Sequence, residues 1–260
     1  MENFFNSISE IKSKAQKYKS FVFVFDFDGT LAKIAPTPDE SKMEKSTEKL
    51  LEKLSKKHCV AVLSGRSLTD IKSRARIRGI IHAGNHGFEW QIKGKKGKIK
   101  VPKEILKNLS FVKKQISSLA KEYKGSRFYD KKMSLSLHYR LLNPLKQKEF
   151  LKEAKKVIKE IESKKGIEVF FGKKVIEARP MINWNKGYFI KFLQEQLKNK
   201  IEKPALYFYA GDDTTDEDAF RYLKNGITVR VGKRGWSHAK YFIKEDEIDK
   251  FLNELICACI

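Results

Sequence analysis

The sequence FVFVFDFDGT, residues 21–30, is the strongest indicator of fold class in the chain. It begins as an almost continuous run of aromatic and β-branched residues, which is typical of a strand buried on both faces of a parallel sheet. It ends in Asp26 and Asp28, followed by Gly29 and Thr30. Because Asp is a poor strand residue, we predict that the strand stops here and that a loop holds both acids at the edge of the sheet.

Two further stretches predict buried strands of the same sheet, CVAVLSG (59–65) and ALYFYAG (205–211). Amphipathic helices alternate with them, which is the pattern of an α/β fold. Polar residues follow each strand, Ser64 with Arg66 in one case and Asp212 with Asp213 in the other. Ligands of open parallel sheets bind beyond the carboxyl ends of the strands, so three polar clusters at strand ends predict a single site.

The middle of the chain has a different pattern. It predicts a helix (102–123), strands near 127–129 and 133–139, a helix (145–163), and strands near 168–171 and 174–177, with hairpin turns at Lys131-Lys132 and Gly172-Lys173. This order is typical of a small α+β unit with an antiparallel sheet. We therefore predict a Rossmann-like parallel-sheet core formed by residues 1–101 and 183–260, interrupted by an inserted α+β cap, or lid, domain at 102–182.

The chain is strongly basic, with 55 Lys and Arg against 32 Asp and Glu, a formal net charge of +23. Such an excess suggests a polyanionic partner, and a non-catalytic nucleic-acid-binding protein is one hypothesis. However, the lysines are spread over the polar faces of most predicted helices, where they mix with glutamates, and no run carries the interleaved aromatic residues of a base-stacking surface. We favour a solvated lysine-rich surface and expect no nucleic-acid partner.

Neither a membrane segment nor a secretory signal is predicted. No run of about 18 apolar residues occurs, and the first twenty residues predict a short amphipathic helix without an apolar signal core. The 3 cysteines are an odd number without the paired spacing of a zinc site. We expect a cytoplasmic protein that binds no membrane and acts as a monomer.

Five acids lie within residues 212–218, directly after the third predicted strand. Clustered carboxylates repel one another unless a cation neutralises them, and hard oxygen ligands suit Mg²⁺. Glu217 and Asp218 have another explanation, because they lie where acids favour the dipole of a helix N-terminus, with Thr215 or Asp216 as its cap. We keep Asp212 as the predicted metal ligand and leave open whether Asp213 or Asp216 contacts the metal directly or through water.

Two more positions suggest that the ligand is a phosphate. Ser64-Gly65 offers a hydroxyl and an accessible amide just before a helix N-terminus. Lys186 follows Asn185, a predicted N-cap, although a lysine is unfavourable at the positive end of a helix. Its placement suggests that it faces an anion, whereas a solvated lysine is the alternative in a chain so rich in this residue.

Taken together, the order Asp-x-Asp-Gly-Thr, Ser, Lys and Gly-Asp-Asp resembles the four motifs of the haloacid-dehalogenase-like phosphohydrolases. The resemblance implies that Asp26 is a nucleophile that forms an aspartyl-phosphate, and that Asp28 protonates the leaving oxygen and then activates water. It further implies that Ser64 and Lys186, with Gly65 and Thr30, hold the phosphoryl group. Mg²⁺ would bind Asp26, the backbone carbonyl of Asp28, and Asp212.

Longer motifs narrow the resemblance to the trehalose-6-phosphate phosphatases. They are DFDGTLAKIAPTP (26–38), LSGRS (63–67), GNHGFEW (84–90), LSLHYR (135–140), EARP (177–180), NKG (185–187) and GDDTTDEDAF (211–220). The resemblance implies hydrolysis of trehalose 6-phosphate, a small-molecule sugar phosphate, to trehalose and phosphate. Sucrose phosphate or a mannosyl phosphate ester is an alternative substrate, because the core chemistry is shared.

Residues of the predicted lid are expected to select the sugar. The candidate substrate-binding residues are Arg66 in the core and Lys132, His138, Arg140, Glu177 and Arg179 in the lid. Their charges and hydrogen-bond donors could hold sugar hydroxyls or the phosphate. For His138 and Arg140, cross-strand pairing on the exposed face of the lid sheet is an equally good interpretation.

Overall fold

The structure is a computed structural model that describes residues 1–162, 165–172 and 174–258. Its helices are α1 (Ile8–Ala15), α2 (Lys45–Lys57), α3 (Leu68–Arg74), α4 (Lys103–Glu122), α5 (Pro144–Glu162), α6 (Lys186–Leu197), α7 (Glu217–Tyr222) and α8 (Ile248–Ala258). Its strands are β1 (Glu2–Asn3), β2 (Ser20–Phe25), β3 (Cys59–Leu63), β4 (Ile81–Gly84), β5 (Glu89–Ile92), β6 (Lys95–Lys98), β7 (Arg127–Asp130), β8 (Leu135–His138), β9 (Ile167–Gly172), β10 (Val175–Pro180), β11 (Ala205–Gly211), β12 (Ile227–Val231) and β13 (Tyr241–Ile243).

The chain divides into two compact units. The first comprises Met1–Ile34, Ser41–Lys98 and Trp184–Ile260, and the second comprises Ala35–Glu40 and Ile99–Asn183. The sequence analysis had assigned the short segment Ala35–Glu40 to the core, whereas it groups with the second unit. Tyr129 explains part of this grouping, because its hydroxyl donates a hydrogen bond of 2.8 Å to Asp39.

A nine-stranded sheet runs through the first unit in the order β1-β13-β12-β11-β2-β3-β4-β5-β6. All pairs from β1 to β4 are parallel. The three strands predicted from the sequence, β2, β3 and β11, are adjacent at its centre. Alternate residues of β2 pack into two different hydrophobic clusters, Phe23 and Phe25 in one and Val22 and Val24 in the other, so the strand is buried on both faces as its composition predicts.

The register of these central strands determines where the functional loops lie. Phe25 pairs with Ala210 of β11 and with Val62 of β3. The carboxyl ends of β2, β3 and β11 are therefore level with one another to within a residue or two. Asp26, Asp212 and Ser64 follow those ends and are brought to one edge of the sheet, as predicted.

The far end of the large sheet is a lysine-rich antiparallel hairpin formed by β5 and β6. Lys95, Lys96 and Lys98 of β6 are exposed. The hairpin is nevertheless packed on its inner side, because the Trp90 ring lies 4.5 Å from that of Phe192. Gly97 lies against its cross-strand partner Trp90, since a Cβ atom there would lie 2.6 Å from the indole. The sequence analysis did not predict this hairpin.

The second unit contains a four-stranded antiparallel sheet in the order β7-β8-β10-β9. One face of this sheet packs on α4 and α5 through a separate hydrophobic cluster that includes Val112, Phe150, Leu137 and Ile176. The predicted α/β fold with a parallel-sheet core and an additional α+β unit is confirmed. The predicted turn at Lys131-Lys132 joins β7 to β8, with Lys132 at a positive φ of 67°, whereas Lys173 of the other predicted turn lies outside the described residues.

Within the described ranges, no helix has both the length and the apolar character that a membrane span requires.

Candidate active site

A buried lysine lies between two aspartates at the carboxyl edge of the large sheet. Lys186 Nζ donates to Asp26 Oδ1 and to Asp216 Oδ1, each at 2.7 Å. The lysine side chain is 2% exposed and both partners are buried. Asn185 begins α6 by accepting a hydrogen bond from the Tyr188 amide at 3.0 Å, which confirms the predicted N-cap. Lys186 therefore contacts two carboxylates of the fold, and its predicted contact with a phosphate stays a prediction.

The charges of this group strongly perturb one another. Burial raises the pKa of Asp26 well above its ordinary value, and the ammonium of Lys186 only partly opposes this effect. Burial works against the charge of Lys186, yet the carboxylates of Asp216 and Asp26 outweigh it and raise its pKa well above the usual range. The lysine therefore stays protonated, and it counters only part of the negative charge gathered around it.

Asp216 is held by three donors rather than serving as a helix cap. Its Oδ1 accepts from the Tyr209 hydroxyl at 2.6 Å as well as from Lys186, and its Oδ2 accepts from the Asp213 amide at 2.9 Å. Asp216 occupies the N-cap position of α7 but its side chain makes no capping hydrogen bond. Asp213 instead bonds the amide and hydroxyl of Thr215, at 2.8 and 2.7 Å. The predicted capping role of Asp216 is wrong, because Lys186 and Tyr209 compete successfully for its oxygens.

The carboxylates at this edge fit a hard divalent cation. Asp26, Asp212 and Asp216 each offer an oxygen, and these atoms lie within 4.8 Å of one another. Space for them depends on Gly29, which has a φ of 85°, and a Cβ atom there would lie 2.4 Å from the Asp212 carboxylate. The three carboxylates are buried close together, and Lys186 contacts two of them, Asp26 and Asp216. A cation would relieve their repulsion, and oxygen-only donor sets suit Mg²⁺.

Asp28 has different surroundings from Asp26, although only one residue separates them. Its side chain is 38% exposed and its two oxygens accept from Arg66 Nη2 and Nε, both at 2.7 Å. Ser41 adds a hydroxyl donor to Asp28 Oδ1 at 2.8 Å. The sequence analysis had placed Arg66 among the substrate-binding residues, whereas here its guanidinium is directed at Asp28 and at Asp70.

The predicted phosphate-binding loop lies beside these acids. Ser64 is buried and its Oγ accepts a hydrogen bond from the Arg66 amide at 3.1 Å. Gly65 packs closely on a histidine, since a Cβ atom there would lie 2.8 Å from the His86 ring. Thr30 is buried, and its hydroxyl has no hydrogen-bond partner among the residues that the structure describes. Hydroxyl and amide donors are thus available at the sheet edge where the acids lie.

Glu217 and Asp218 do not join the cluster. Glu217 accepts from Arg230 Nη1 at 3.1 Å and from the His238 amide at 2.8 Å. Asp218 pairs with Arg221 at 2.7 Å, one turn further along α7. Both lie in the first turn of that helix, as predicted. Glu217 has an additional role that the sequence analysis missed, because it ties α7 to β12 and to the loop before β13.

In the second unit, three of the predicted substrate-binding residues share the sheet face that is directed away from α4 and α5. Glu177 of β10 is paired across the sheet with Ser136 of β8 and Phe170 of β9. Arg179 lies two residues after Glu177 in β10, and His138 lies two residues after Ser136 in β8. Because side chains alternate along a strand, Glu177, Arg179 and His138 project from the same face.

Each of the three has a neighbour on that face. Glu177 bonds Lys131 Nζ at 3.0 Å, Arg179 pairs with Glu168 and stacks on the Phe170 ring at 4.9 Å, and His138 packs edge-on against Tyr129 at 5.4 Å. The cross-strand packing that was considered for His138 is therefore present.

The other two predicted lid residues lie outside the strands. Lys132 is exposed in the turn after β7, where its amide donates to Asp130 Oδ1 at 2.8 Å. Arg140 lies in the turn after β8 and is partly buried. The neighbouring Lys131, which the sequence analysis did not single out, is the lysine that contacts Glu177. In a run of two lysines, only the direction of the chain at the turn determines which one reaches the sheet.

Comparisons with known proteins agree with this geometry. A family model described as trehalose-phosphatase matches residues 24–245. A probable trehalose-phosphate phosphatase E from Arabidopsis thaliana is 31% identical over 267 residues, spanning 96% of this chain and 74% of that protein. The crystal structure of a trehalose-6-phosphate phosphatase related protein has a TM-score of 0.75 at 25% identity, covering 92% of this chain and 97% of the other. The C-terminal domain of the C. albicans trehalose-6-phosphate phosphatase has a TM-score of 0.82 at 21% identity, covering 97% of each chain, which supports the fold.

Proposed function

The chain belongs to the trehalose-phosphatase family, and we propose on this basis that it hydrolyses trehalose 6-phosphate to trehalose and inorganic phosphate. The observation that carries the proposal is the buried arrangement of Asp26, Lys186 and Asp216 beside Asp212 at the carboxyl edge of the sheet. Phosphoryl transfer depends mainly on positioning and on neutralising oxygen charge. A carboxylate, an ammonium and a cation-binding cluster supply both.

Asp26 is the proposed nucleophile. Lys186 holds its Oδ1 at 2.7 Å, and we assign the attack on phosphorus to the other oxygen, Oδ2. The bond from phosphorus to the sugar oxygen breaks as the bond to Asp26 forms, and the electron pair stays with the sugar oxygen. A carboxylate nucleophile of this kind divides hydrolysis into two displacements, each easier than direct attack by water.

Asp28 is the proposed proton carrier in both displacements. In the first it gives a proton to the departing sugar oxygen, and trehalose leaves. In the second it takes a proton from the water that attacks the aspartyl-phosphate, so that inorganic phosphate leaves and Asp26 and Asp28 return to their starting forms. The partial exposure of its side chain, 38%, is compatible with access to both substrate and water, since proton transfer requires hydrogen-bond contact with the reacting oxygen.

The transferred group and its charge require further partners. We propose that Ser64, the Gly65 amide, Thr30 and Lys186 bind the phosphoryl oxygens, and that Asp26, Asp212 and the Asp28 carbonyl hold Mg²⁺. When bound, the metal would neutralise negative charge on the phosphoryl oxygens. Asp216 is better suited to holding Lys186, because both of its oxygens already accept hydrogen bonds within the fold.

Recognition of the sugar is assigned to the second unit. We propose that Glu177, Arg179 and His138 contact sugar hydroxyls from the common face of the small sheet, with Lys132 and Arg140 contributing from the adjoining turns. Carboxylate and guanidinium groups are good partners for hydroxyls, because charged hydrogen bonds are stronger than neutral ones. From the sequence, we also propose that the protein is a monomer and that it is cytoplasmic.

A phosphate-release assay with Asp26→Asn tests the proposal. The wild-type protein with Mg²⁺ should release phosphate from trehalose 6-phosphate faster than from sucrose 6-phosphate or mannosyl phosphate esters. Asp26→Asn should lose at least about 10³-fold in kcat, because the amide cannot form the acyl-phosphate. Asp246→Asn, at an exposed position, is the matched control and should keep full activity. Full activity in Asp26→Asn would exclude the nucleophile assignment, and a preference for another ester would reassign the substrate.

A further inference from the structure

Arg66 forms a two-pronged contact with one carboxylate and a single contact with another. Its Nε and Nη2 atoms donate to Asp28 Oδ2 and Oδ1, both at 2.7 Å, and its Nη1 donates to Asp70 Oδ2 at 2.7 Å. The guanidinium lies over the Phe27 ring at 5.6 Å. Only 6% of the side chain is exposed, so its donors are largely committed inside the fold.

These contacts form a closed ring around Asp28. Asp70 Oδ1 accepts from Arg74 Nε at 2.7 Å, Arg74 Nη1 donates to the Ser41 carbonyl at 2.6 Å, and the Ser41 hydroxyl returns to Asp28 Oδ1 at 2.8 Å. Asp70 and Arg74 lie four residues apart on α3, the spacing at which helical side chains meet. Rotation of the Asp28 carboxylate would break three hydrogen bonds at once, so the ring fixes its orientation.

We propose that Arg66 is a positioning residue that orients Asp28 for proton transfer, and that it is not a ligand of the substrate. The proposal rests on the proposed function, in which Asp28 protonates the leaving oxygen. A planar guanidinium that meets both oxygens of a carboxylate defines the plane of that carboxylate, which a lysine cannot do.

The same contacts identify the oxygen that carries the proton. Each carboxylate oxygen has two acceptor positions. Among the residues that the structure describes, Asp28 Oδ1 uses both positions, for Arg66 Nη2 and Ser41 Oγ, whereas Oδ2 uses one, for Arg66 Nε. Oδ2 therefore keeps one position at which it can hold a proton, and the geometry assigns proton delivery to this atom.

The leaving group provides a specific test. An alkyl phosphate such as trehalose 6-phosphate releases a strongly basic alkoxide and needs the proton, whereas 4-nitrophenyl phosphate releases a stable phenolate and does not. We expect Arg66→Gln and Arg66→Lys to lower kcat for the alkyl ester by about 10²-fold, in the range of general acid catalysis. For the aryl ester kcat should fall less than about fivefold, and KM should be nearly unchanged for both substrates.

Two further variants serve as controls. Arg76→Gln is matched in chemistry but lies at an exposed position where the side chain donates to the Ser73 carbonyl, and it should retain full activity on both esters. Ser41→Ala removes a smaller part of the contact with Asp28. It should reproduce the selective loss on the alkyl ester, reduced to about tenfold, and it keeps the proposal testable should the Arg66 variants not fold.

Three results would overturn the proposal. A raised KM with unchanged kcat would make Arg66 a substrate ligand, and equal losses of kcat on the two esters would make its role purely structural. Full activity of Arg66→Gln on the alkyl ester would exclude any role. These outcomes differ from failure of the proposed function, in which the wild-type protein itself would release no phosphate from either ester.

Discussion

Replacing Lys186 with Met should destabilise the first unit by about 3–5 kcal/mol, the usual cost of removing one partner from a buried ion pair. The lysine makes charged hydrogen bonds of 2.7 Å with Asp26 and Asp216, and such bonds contribute about 1.5–3 kcal/mol each. The two hydrogen bonds together would contribute about 3–6 kcal/mol, which is close to the expected loss of stability. Met is close to Lys in volume, so the loss would measure the charge and its hydrogen bonds and not a cavity.

A double-mutant cycle isolates the contact between Lys186 and Asp216. Asp216→Asn should cost about 1.5–3 kcal/mol, because its amide retains part of the hydrogen bonding but not the charge. In the double variant only the carboxylate of Asp26 lacks a compensating charge. The double variant should therefore lose less free energy of unfolding than the sum of the two single variants, by about 1–3 kcal/mol.

The pH dependence of Lys186→Met follows from the pKa shifts of its partners. Burial already raises the pKa of Asp26 and of Asp216, and Lys186 opposes the increase in both. Without the lysine both pKa values rise further, so above the ordinary pKa of aspartate the folded variant binds more protons than the unfolded chain. Its free energy of unfolding should therefore increase as the pH falls, and the difference from the wild-type protein should be smaller at pH 5 than at pH 7.

Urea titrations followed by tryptophan fluorescence provide the measurement. The chain has 3 tryptophans, and Trp90, Trp184 and Trp236 all lie in the first unit, so their emission reports on that unit alone. Titrations in EDTA remove the contribution of any bound cation. Additivity of the two single substitutions within about 0.5 kcal/mol, or a loss below about 1 kcal/mol for Lys186→Met, would refute the assigned contacts.

Two other predictions test the sugar-binding face and a partly buried thiol. Glu177→Gln should lower kcat/KM for trehalose 6-phosphate at least tenfold more than for 4-nitrophenyl phosphate, with the exposed Glu149→Gln as control; equal losses on the two substrates would make Glu177 structural. Burial raises the pKa of Cys59 to about 11, so about one thiol in a thousand is ionised at pH 8, against roughly a quarter for an unperturbed cysteine. Peptide mapping after iodoacetamide treatment should find Cys59 modified far more slowly than the exposed Cys257, and the difference should disappear in urea; equal rates in the folded protein would contradict the assigned burial.

Much of the site could be predicted because it lies at strand ends. Asp26, Ser64 and Asp212 each follow a strand of continuous apolar residues, and parallel strands bring such positions to one edge. Lys186 could be found from a local conflict, a cation at a positive helix end. In each case the signal lies within a few residues of the functional side chain.

The roles of other residues depend on contacts distant in sequence. Asp216 was interpreted as one of two candidate helix caps, beside Thr215, since nothing near it indicates that α6 packs against α7 and delivers Lys186 to its carboxylate. Arg66 was assigned to substrate binding for its charge and hydrogen-bond donors, whereas its partner Asp28 lies 38 positions earlier. The pair Arg66 and Asp70 was the available clue, because residues four apart at a helix start can share a charge.

The hairpin of β5 and β6 was missed for another reason. Sequence patterns identify strands by alternating or continuous apolar residues, and β6 contains 3 lysines and a glycine. It is a strand because Gly97 can lie against Trp90 and because β5 offers its backbone. Tertiary packing and not strand propensity determines this element.

That hairpin has a consequence for how the molecules behave toward one another. A sheet that ends in an open strand can continue into the sheet of a second molecule, and this is a common route to aggregation. Here two approaching edges would each present Lys95, Lys96 and Lys98, so like charges would meet along the whole strand. The protection is electrostatic, and it should weaken in concentrated salt, where the screening length falls to about 3 Å. Part of the protein's excess positive charge would thus oppose growth of its largest sheet at the β6 edge.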